Sequence, residues 1–244
     1  MRVQAARRTY PPAQMKARKE LGDLLRACRE DLEISLSQAG SMFGVSKGAV
    51  ALWEANKSIP YAHSYREIAF HYHVHLDSLA KLCLQAQGIF RQTNPLGYEL
   101  LYLRILKGDK QDEVAKGLRI KSKSDVISRW ENGKEAPVVS RFPKIARYYN
   151  VPVERLAKLH LWAQKISFSN NPFGYSLHLH RVMKGETLEV ASRALRISVG
   201  DLRYWETGQG TSCPPDLLSK FEEHYSVSFE NSIKAARKIK QRAA

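Results

Sequence analysis

The sequence has few features of secreted or membrane proteins. Its three cysteines, Cys28, Cys83 and Cys213, are odd in number and far apart, so they fit neither a disulfide framework nor a metal knuckle. No stretch approaches the roughly 18 consecutive apolar residues of a membrane span. The basic N-terminus has no apolar segment behind it and does not resemble a secretory signal. We therefore expect a reduced, cytoplasmic protein with no membrane partner.

Signatures of catalysis are also missing. The chain has no glycine-rich phosphate loop, no nucleophile elbow and no cluster of metal ligands. His71, His73 and His75 alternate, but no Cys or carboxylate set accompanies them, so we expect solvent-facing or half-buried side chains. We predict no enzyme, no catalytic residue, no cofactor and no metal.

Acidic residues are scarce, and their distribution is uneven. The chain has 39 Lys and Arg against 24 Asp and Glu, a formal net charge of +15, which suits nucleic acid before an anionic membrane surface. Residues 88–170 carry a net charge of +8, whereas 20–87 and 171–233 each carry −2. Residues 1–19 and 234–244 contain six and five basic residues and no acidic ones. The positive charge thus lies in the middle and at both ends.

A repeat runs through the chain. The segment Asn94-Pro95-Leu96-Gly97-Tyr98 returns as Asn171-Pro172-Phe173-Gly174-Tyr175. A Trp-Glu pair occurs three times, at 53–54, 130–131 and 205–206. The repeat length of about 75 to 77 residues is too long for a solenoid and suits a small autonomous domain. Three groups fall into register: Gly22, Gly97 and Gly174; Leu25, Leu100 and Leu177; Arg29, Arg104 and Arg181.

Each repeat has the pattern of five short helices. In the second repeat we predict helices over 98–106, 111–118, 124–131, 142–149 and 153–162. Asn132-Gly133 ends the third of these, because both residues tolerate a left-handed C-cap. Few positions favour strands, so the fold class is all-α. The connections at 87–93 and 165–170 are too short for free tumbling, and we expect helices packed across the joints.

The second and third helices of each repeat have the pattern of a helix-turn-helix. A small residue marks the close approach of the two helices: Gly40, Ala115, and Ala191 or Ser192. The third helix carries one inward apolar residue: Val50, Ile127 or Leu202. Its other side is free to lie in the major groove, where base edges present a distinguishable code.

The second repeat resembles the Cro/phage-repressor helix-turn-helix family, also called the xenobiotic-response-element type. The residues that carry the resemblance are Gln111-x-x-Val114-Ala115, Ile127-Ser128-Arg129-Trp130-Glu131-Asn132-Gly133-Lys134 and Pro137. The first repeat, with Gly44-Val45-Ser46 and Val50-x-x-Trp53-Glu54, is similar, and the third matches more loosely. The resemblance implies three tandem five-helix, lambda-repressor-like domains at 20–87, 88–170 and 171–233. A basic arm, 1–19, and a basic tail, 234–244, flank them.

The resemblance also implies where DNA is contacted. Gln111 takes the place of a glutamine whose amide grips a phosphate, whereas Leu36 and Leu188 in the other repeats cannot do so. Base reading falls to the first exposed residues of the third helix and to one a turn later, and the loop that follows offers backbone N–H groups and a cation to phosphate. In the second repeat the predicted contacts are Gln111, Lys121, Lys123, Ser124, Asp125, Ser128, Arg129, Asn132, Gly133 and Lys134. Elsewhere they are Lys47, Gly48, Asn56 and Lys57, with Arg7, Arg8, Lys238 and Arg242 in the flanking segments.

The charge distribution favours the second repeat as the main DNA reader, because phosphate neutralisation supplies most non-specific affinity. The leading hypothesis is a nucleoid-associated transcriptional regulator, a repressor of bacterial, plasmid or phage genes. One alternative is a structural DNA-binding protein for plasmid partition, conjugation or DNA architecture. Another is an antitoxin-like or polymerase-binding factor. The first and third repeats are candidates for homodimer or protein-partner contacts.

Overall fold

The computed structural model describes residues 10–120, 125–209 and 213–243. Over these residues the chain forms α-helices and two 3-10 turns, Ala62–Ser64 and Val139–Arg141, with no strand. The prediction of an all-α fold is confirmed. None of the described helices combines the length and the apolar character needed to span a membrane. The helices are α1 (Pro12–Asp31), α2 (Leu36–Phe43), α3 (Lys47–Glu54), α4 (Tyr65–His71), α5 (Leu76–Gln87), α6 (Pro95–Lys107), α7 (Gln111–Gly117), α8 (Asp125–Glu131), α9 (Phe142–Tyr149), α10 (Val153–Ala163), α11 (Pro172–Lys184), α12 (Leu188–Leu195), α13 (Val199–Glu206), α14 (Pro215–Tyr225) and α15 (Glu230–Ala243).

Both flanking segments differ from the prediction. α1 begins at Pro12, so residues 12–19 of the predicted arm are helical, and this part of α1 packs along α5. The Gln14 amide donates to the carbonyl of Ala86 at 3.1 Å, and Ala17 is buried. At the other end, α15 continues to Ala243, through the predicted tail. Both segments are rich in Ala, Lys, Arg and Gln, which favour helix. The prediction of an arm and a tail rested on their charge and did not use this helix propensity.

The apolar side chains fall into three clusters along the chain. We call α1–α5, α6–α10 and α11–α15 the first, second and third series. Trp53 and Trp130 are buried in the clusters of the first and second series, and Trp205 is half-buried against that of the third. Packing, and not stacking on a ligand, therefore explains why this tryptophan recurs.

α6 and α11 each belong to two clusters. Leu100 and Leu103 of α6 pack in the second cluster, whereas Tyr102 and Ile105 pack in the first. Leu179 and Val182 of α11 pack in the second cluster in the same way. In α1 the positions equivalent to Tyr102 and Ile105 are Ala27 and Glu30, which are exposed. The joints are therefore packed, as the short connections predicted.

Candidate nucleic-acid interface

The start of the turn between the two helix-turn-helix helices has the same backbone form in all three series. A residue with a positive φ follows the first of these helices, directly at Gly44 (66°) and Arg196 (55°) and one residue later at Arg119 (50°). The next residue then donates its N–H back to the small residue of that helix. The bonds are Val45 to Gly40 at 2.8 Å, Ile120 to Ala115 at 2.9 Å and Ile197 to Ser192 at 3.0 Å.

Small residues at this turn have a steric cause. A Cβ built on Gly40 would lie 2.7 Å from the carbonyl oxygen of Val45, so the chain turns directly over the helix. Arg119 and Arg196 adopt the left-handed backbone conformation of Gly44, although L-residues adopt it less readily than glycine. Both side chains are exposed, which places a positive charge on the turn in the second and third series.

The third helix of each series buries one side and exposes the other. Val50, Ile127 and Leu202 are buried as predicted. The Ser46 and Ser198 hydroxyls accept from the N–H groups of Ala49 at 3.2 Å and Asp201 at 2.9 Å, which are N-caps. The positions to which the resemblance assigns base reading are held by Lys47, Gly48 and Leu52 in α3, Asp125, Ser128 and Arg129 in α8, and Val199, Gly200 and Tyr204 in α13. Only α3 and α8 therefore present a basic residue among these predicted reading positions.

An ion pair, buried in the second and third series and part-buried in the first, fixes the end of each third helix to the first helix of its series. Arg104 donates to Glu131 through Nε at 2.5 Å and Nη2 at 2.9 Å, and its Nη1 donates to the carbonyl of Asp109 at 3.1 Å. One guanidinium thus ties together α6, the start of the helix-turn-helix and the last residue of α8. The equivalent pairs are Arg29–Glu54 at 2.7 and 2.9 Å and Arg181–Glu206 at 2.5 and 2.8 Å.

The repeat places these arginines and glutamates in register, but it does not show that they form ion pairs. Three Arg and three Glu recur at fixed positions of the repeat. This recurrence could have indicated the pairs, because Arg and Glu are seldom buried unless they are paired. Burial raises the pKa of Glu206, and the Arg181 guanidinium opposes that shift.

The Asn-Pro-x-Gly segment forms a second link to the end of the third helix. The Asn94 side chain accepts from Gly97 N at 3.1 Å and donates to the Glu131 carbonyl at 3.0 Å. A Cβ on Gly97 would lie 2.5 Å from the Trp130 carbonyl oxygen. Asn171 repeats both bonds at 3.0 Å. This segment sets how closely α6 approaches α8, a role that its use as a repeat marker did not reveal.

Gln111 lies against the ion pair of its own series. Its amide Nε2 donates to Glu131 Oε2 at 2.8 Å, and the side chain is partly buried. The amide nitrogen carries two N–H groups, and this bond engages one of them. The phosphate contact stays a prediction.

Arg129 also has an internal partner. Its Nε lies 2.9 Å from Glu135 Oε1, and both side chains are about half exposed. Asp125 is exposed at the start of α8, and Ser128 is half-buried beside Arg129. Arg129 therefore stands at a reading position, held by a carboxylate from the following loop.

The loop after α8 differs from the prediction in one respect. We expected the N–H groups of Asn132, Gly133 and Lys134 to be offered to phosphate. They donate instead to the carbonyls of Ser128 at 3.0 Å, Trp130 at 3.2 Å and Arg129 at 2.9 Å, because the end of α8 leaves carbonyls that need donors. The Asn132 amide also donates to Ser128 O at 2.8 Å. The exposed Lys134 ammonium is the group that remains for phosphate.

The predicted contacts of the first series divide in the same manner. Lys47, Gly48 and Lys57 are exposed. Asn56 is half-buried, takes a φ of 61°, and accepts at its carbonyl from Arg18 Nη2 at 3.0 Å. Asn56 therefore holds α1 in place, and the lysines are the groups available to DNA.

Some predicted contacts lie outside the described residues, and some basic residues were missed. Arg7, Arg8, Lys121, Lys123 and Ser124 fall outside the described ranges, as does the side chain of Arg242, whereas Lys238 is exposed on α15. Lys116 of α7 and Arg119 of the turn are exposed beside α8. The excess of basic residues in 88–170 could have indicated both of them as candidate contacts.

Comparison with known proteins agrees with this geometry in one segment. The helix-turn-helix family matches residues 100–156, from within α6 to the start of α10. The match supports the Cro-type resemblance of the second series, sequence-specific binding of double-stranded DNA and a role in transcription regulation. No curated protein and no solved structure matches the chain.

Proposed function

We propose that the protein is a sequence-specific transcriptional repressor of bacterial, plasmid or phage genes, in which α8 enters the major groove of DNA. The observation that carries the proposal is the family match over 100–156, which falls on the most basic part of the chain. Exposed cations on the α7–α8 turn and on the following loop surround α8, and such cations neutralise phosphates. A protein bound at a promoter through these contacts blocks the polymerase.

We also propose that the three series are tandem copies of one domain. The support is local and repeated: the left-handed turn residue and the Arg–Glu pair recur at the same register in all three series, and a Ser N-cap begins both α3 and α13. In this arrangement α8 is the main reader and α3 is the second. α13 contributes least, because Val199, Gly200 and Tyr204 offer no charged group and its series is net acidic.

Selection of bound sequences from random duplexes tests the function. The full chain is required, because α6 and α11 each complete the core of the preceding series. We expect one short motif with strongly salt-dependent affinity, and a footprint on that motif next to a promoter. Repeated or phased sites away from promoters would point to a structural DNA-binding protein. An absence of duplex binding at low ionic strength would overturn DNA binding itself.

A further inference from the structure

A cleft opens at the joint between the second and third series. It lies between α10 and α11 on one side and α12 and α13 on the other, and its volume is about 630 Å³. That volume is within the range of small-molecule sites, roughly 300–1,000 Å³. The rings of His160 and His178 lie at the inner side, and both side chains are buried.

The first joint has an equivalent cleft that is smaller. A shift of 77 residues relates Tyr61, Arg104 and Lys110 there to Val138, Arg181 and Thr187 here. The first cleft has a volume of about 370 Å³. Comparison of the two joints therefore isolates what is particular to the second.

Three substitutions distinguish the joints. Cys83 and Leu101, both buried at the first joint, are replaced by His160 and His178 at the second. Gln111, which lines the first cleft and bonds to Glu131 of its own series, is replaced by Leu188. Leu188 has no amide to donate. The inner side thus gains two polar rings and loses the side chain that covered the ion pair.

Both rings are neutral at pH 7. Burial lowers the pKa of His160 to about 4 and that of His178 to about 3, and the Arg181 guanidinium lowers both further. A neutral imidazole offers one donor and one acceptor. His160 Nε2 lies 3.0 Å from the Gln164 amide nitrogen, and His178 Nδ1 lies 3.5 Å from Glu206 Oε2. The rings can therefore orient a ligand through hydrogen bonds without adding charge.

The cleft has an excess of positive charge. Arg181 and Glu206 neutralise each other as a bidentate pair. Lys165 and Arg203 also line the cleft and are exposed, and over the described part of the chain neither pairs with a carboxylate. Val139, Ile166 and Leu188 supply apolar surface. An anionic group with an apolar body matches this combination.

We propose that this cleft binds a small organic anion: an apolar ring system between Ile166 and Leu188, with a carboxylate, sulfonate or phosphate at Lys165 and Arg203. The proposal is independent of DNA binding, because ligand binding is measured without DNA. It also distinguishes the two joints, since Gln111 takes the place of Leu188 at the first, smaller cleft.

The probe is 8-anilinonaphthalene-1-sulfonate, which has a fused apolar ring and one anionic group and fluoresces on leaving water. The full-length protein is titrated at pH 7, and the histidine ring signals are followed by NMR on labelled protein. We expect saturable binding at one site, with the signals of His160 and His178 shifting along the same isotherm.

Matched variants decide the location. Leu188→Gln restores the side chain of the first joint and should weaken binding at least tenfold. Leu36→Gln makes the same change at the equivalent position of the first series, which does not line this cleft, and should leave binding unchanged. Arg203→Gln changes an exposed side chain and should weaken binding severalfold.

The opposite results overturn the proposal. Binding that is non-saturable, or equal in Leu188→Gln and the parent, would mean that the dye does not use this cleft. Binding reduced as much by Leu36→Gln would mean the same. Circular dichroism checks that each variant is folded, and if Leu188→Gln does not fold, unchanged binding by Arg203→Gln overturns the anion site.

Discussion

Arg129 pairs with Glu135 through Nε, and its two Nη groups carry further donors for a base. Its ion pair with Glu135 is partly exposed, and exposed pairs contribute little free energy, typically about 0–1 kcal/mol, so exchange is inexpensive. We predict that Arg129→Ala weakens binding to the selected duplex by roughly 1–3 kcal/mol, the loss typical of a bidentate base contact. Glu135→Gln should tighten binding, because it releases the guanidinium. Fluorescence anisotropy titrations measure both.

Lys134→Ala is the matched control for Arg129→Ala. Loss of a phosphate contact should weaken selected and scrambled duplexes equally and lower the salt slope by about 1. If Arg129→Ala behaves in the same way on both duplexes, Arg129 is a phosphate contact and the base-reading prediction is wrong.

The Arg104–Glu131 pair is buried, with 8% and 3% of the two side chains exposed. Arg104→Met leaves a carboxylate buried without its cation, and we predict a loss of about 3–5 kcal/mol in the free energy of unfolding. The double variant Arg104→Met/Glu131→Met should recover most of this loss, because it removes the unpaired charge. Urea denaturation measures both. If Arg104→Met loses no more free energy of unfolding than the double variant, the unpaired buried charge is not the cause of the loss.

At the scale of the element, the approach of α6 to α8 depends on Gly97. A Cβ there meets two backbone carbonyl oxygens, of Trp130 at 2.5 Å and Glu131 at 2.6 Å, and backbone cannot move aside as a flexible side chain can. We predict that Gly97→Ala destabilises the protein by about 1–3 kcal/mol, as overpacking does, and weakens DNA binding by displacing α8.

Gly48→Ala is the control for Gly97→Ala. Gly48 lies inside α3, and a Cβ there would meet only the Ser46 hydroxyl at 3.7 Å. Alanine should therefore stabilise α3 by roughly 0.5–1 kcal/mol. Thermal unfolding compares the two variants, and equal destabilisation by both would contradict the steric explanation.

At the scale of the whole molecule, the joints couple the three series. Ile105 of α6 is buried in the cluster of the first series. We predict that Ile105→Lys separates one calorimetric unfolding transition into two, because it places an unpaired charge in the joint. Glu30→Lys, at the equivalent exposed position of α1, should leave a single transition. A single transition in both variants would show that the series stay coupled without Ile105 and that this contact does not govern the coupling.

The buried histidines of the second joint link stability to pH. Unfolded histidines bind a proton near pH 6.5, whereas the lowered pKa values of about 4 for His160 and about 3 for His178 leave the native rings neutral. The unfolded state therefore takes up protons first, and stability falls as pH falls from about 6.5 towards 4. The slope is about 1.4 kcal/mol per pH unit for each ring.

The variant His160→Cys/His178→Leu carries the residues of the first joint and should flatten this dependence. Urea denaturation at pH 7, 6 and 5 measures it. Groups that face the rings include Arg181 and Glu206, and both remain in the variant. An unchanged slope would assign the acid sensitivity to other groups.

Much of the architecture can be read from the chain itself. The helix boundaries near Gln111, Phe142 and Val153, the inward positions Val50, Ile127 and Leu202 and the packed joints all follow from periodicity, caps and the register of the repeat. These are local properties, so a single sequence contains them.

Only the tertiary structure decided which polar groups remain available. Arg129, Gln111 and the N–H groups after α8 are predicted DNA contacts, and each has an internal partner: Glu135, Glu131 and the carbonyls at the end of α8. The pairing of Arg104 with Glu131 and the meeting of His160 with His178 likewise depend on how helices cross. Side-chain hydrogen bonds between such residues depend on distances in space that spacing along the chain does not fix. The sequence therefore predicted where these residues lie in the helices, but not which partners they bind.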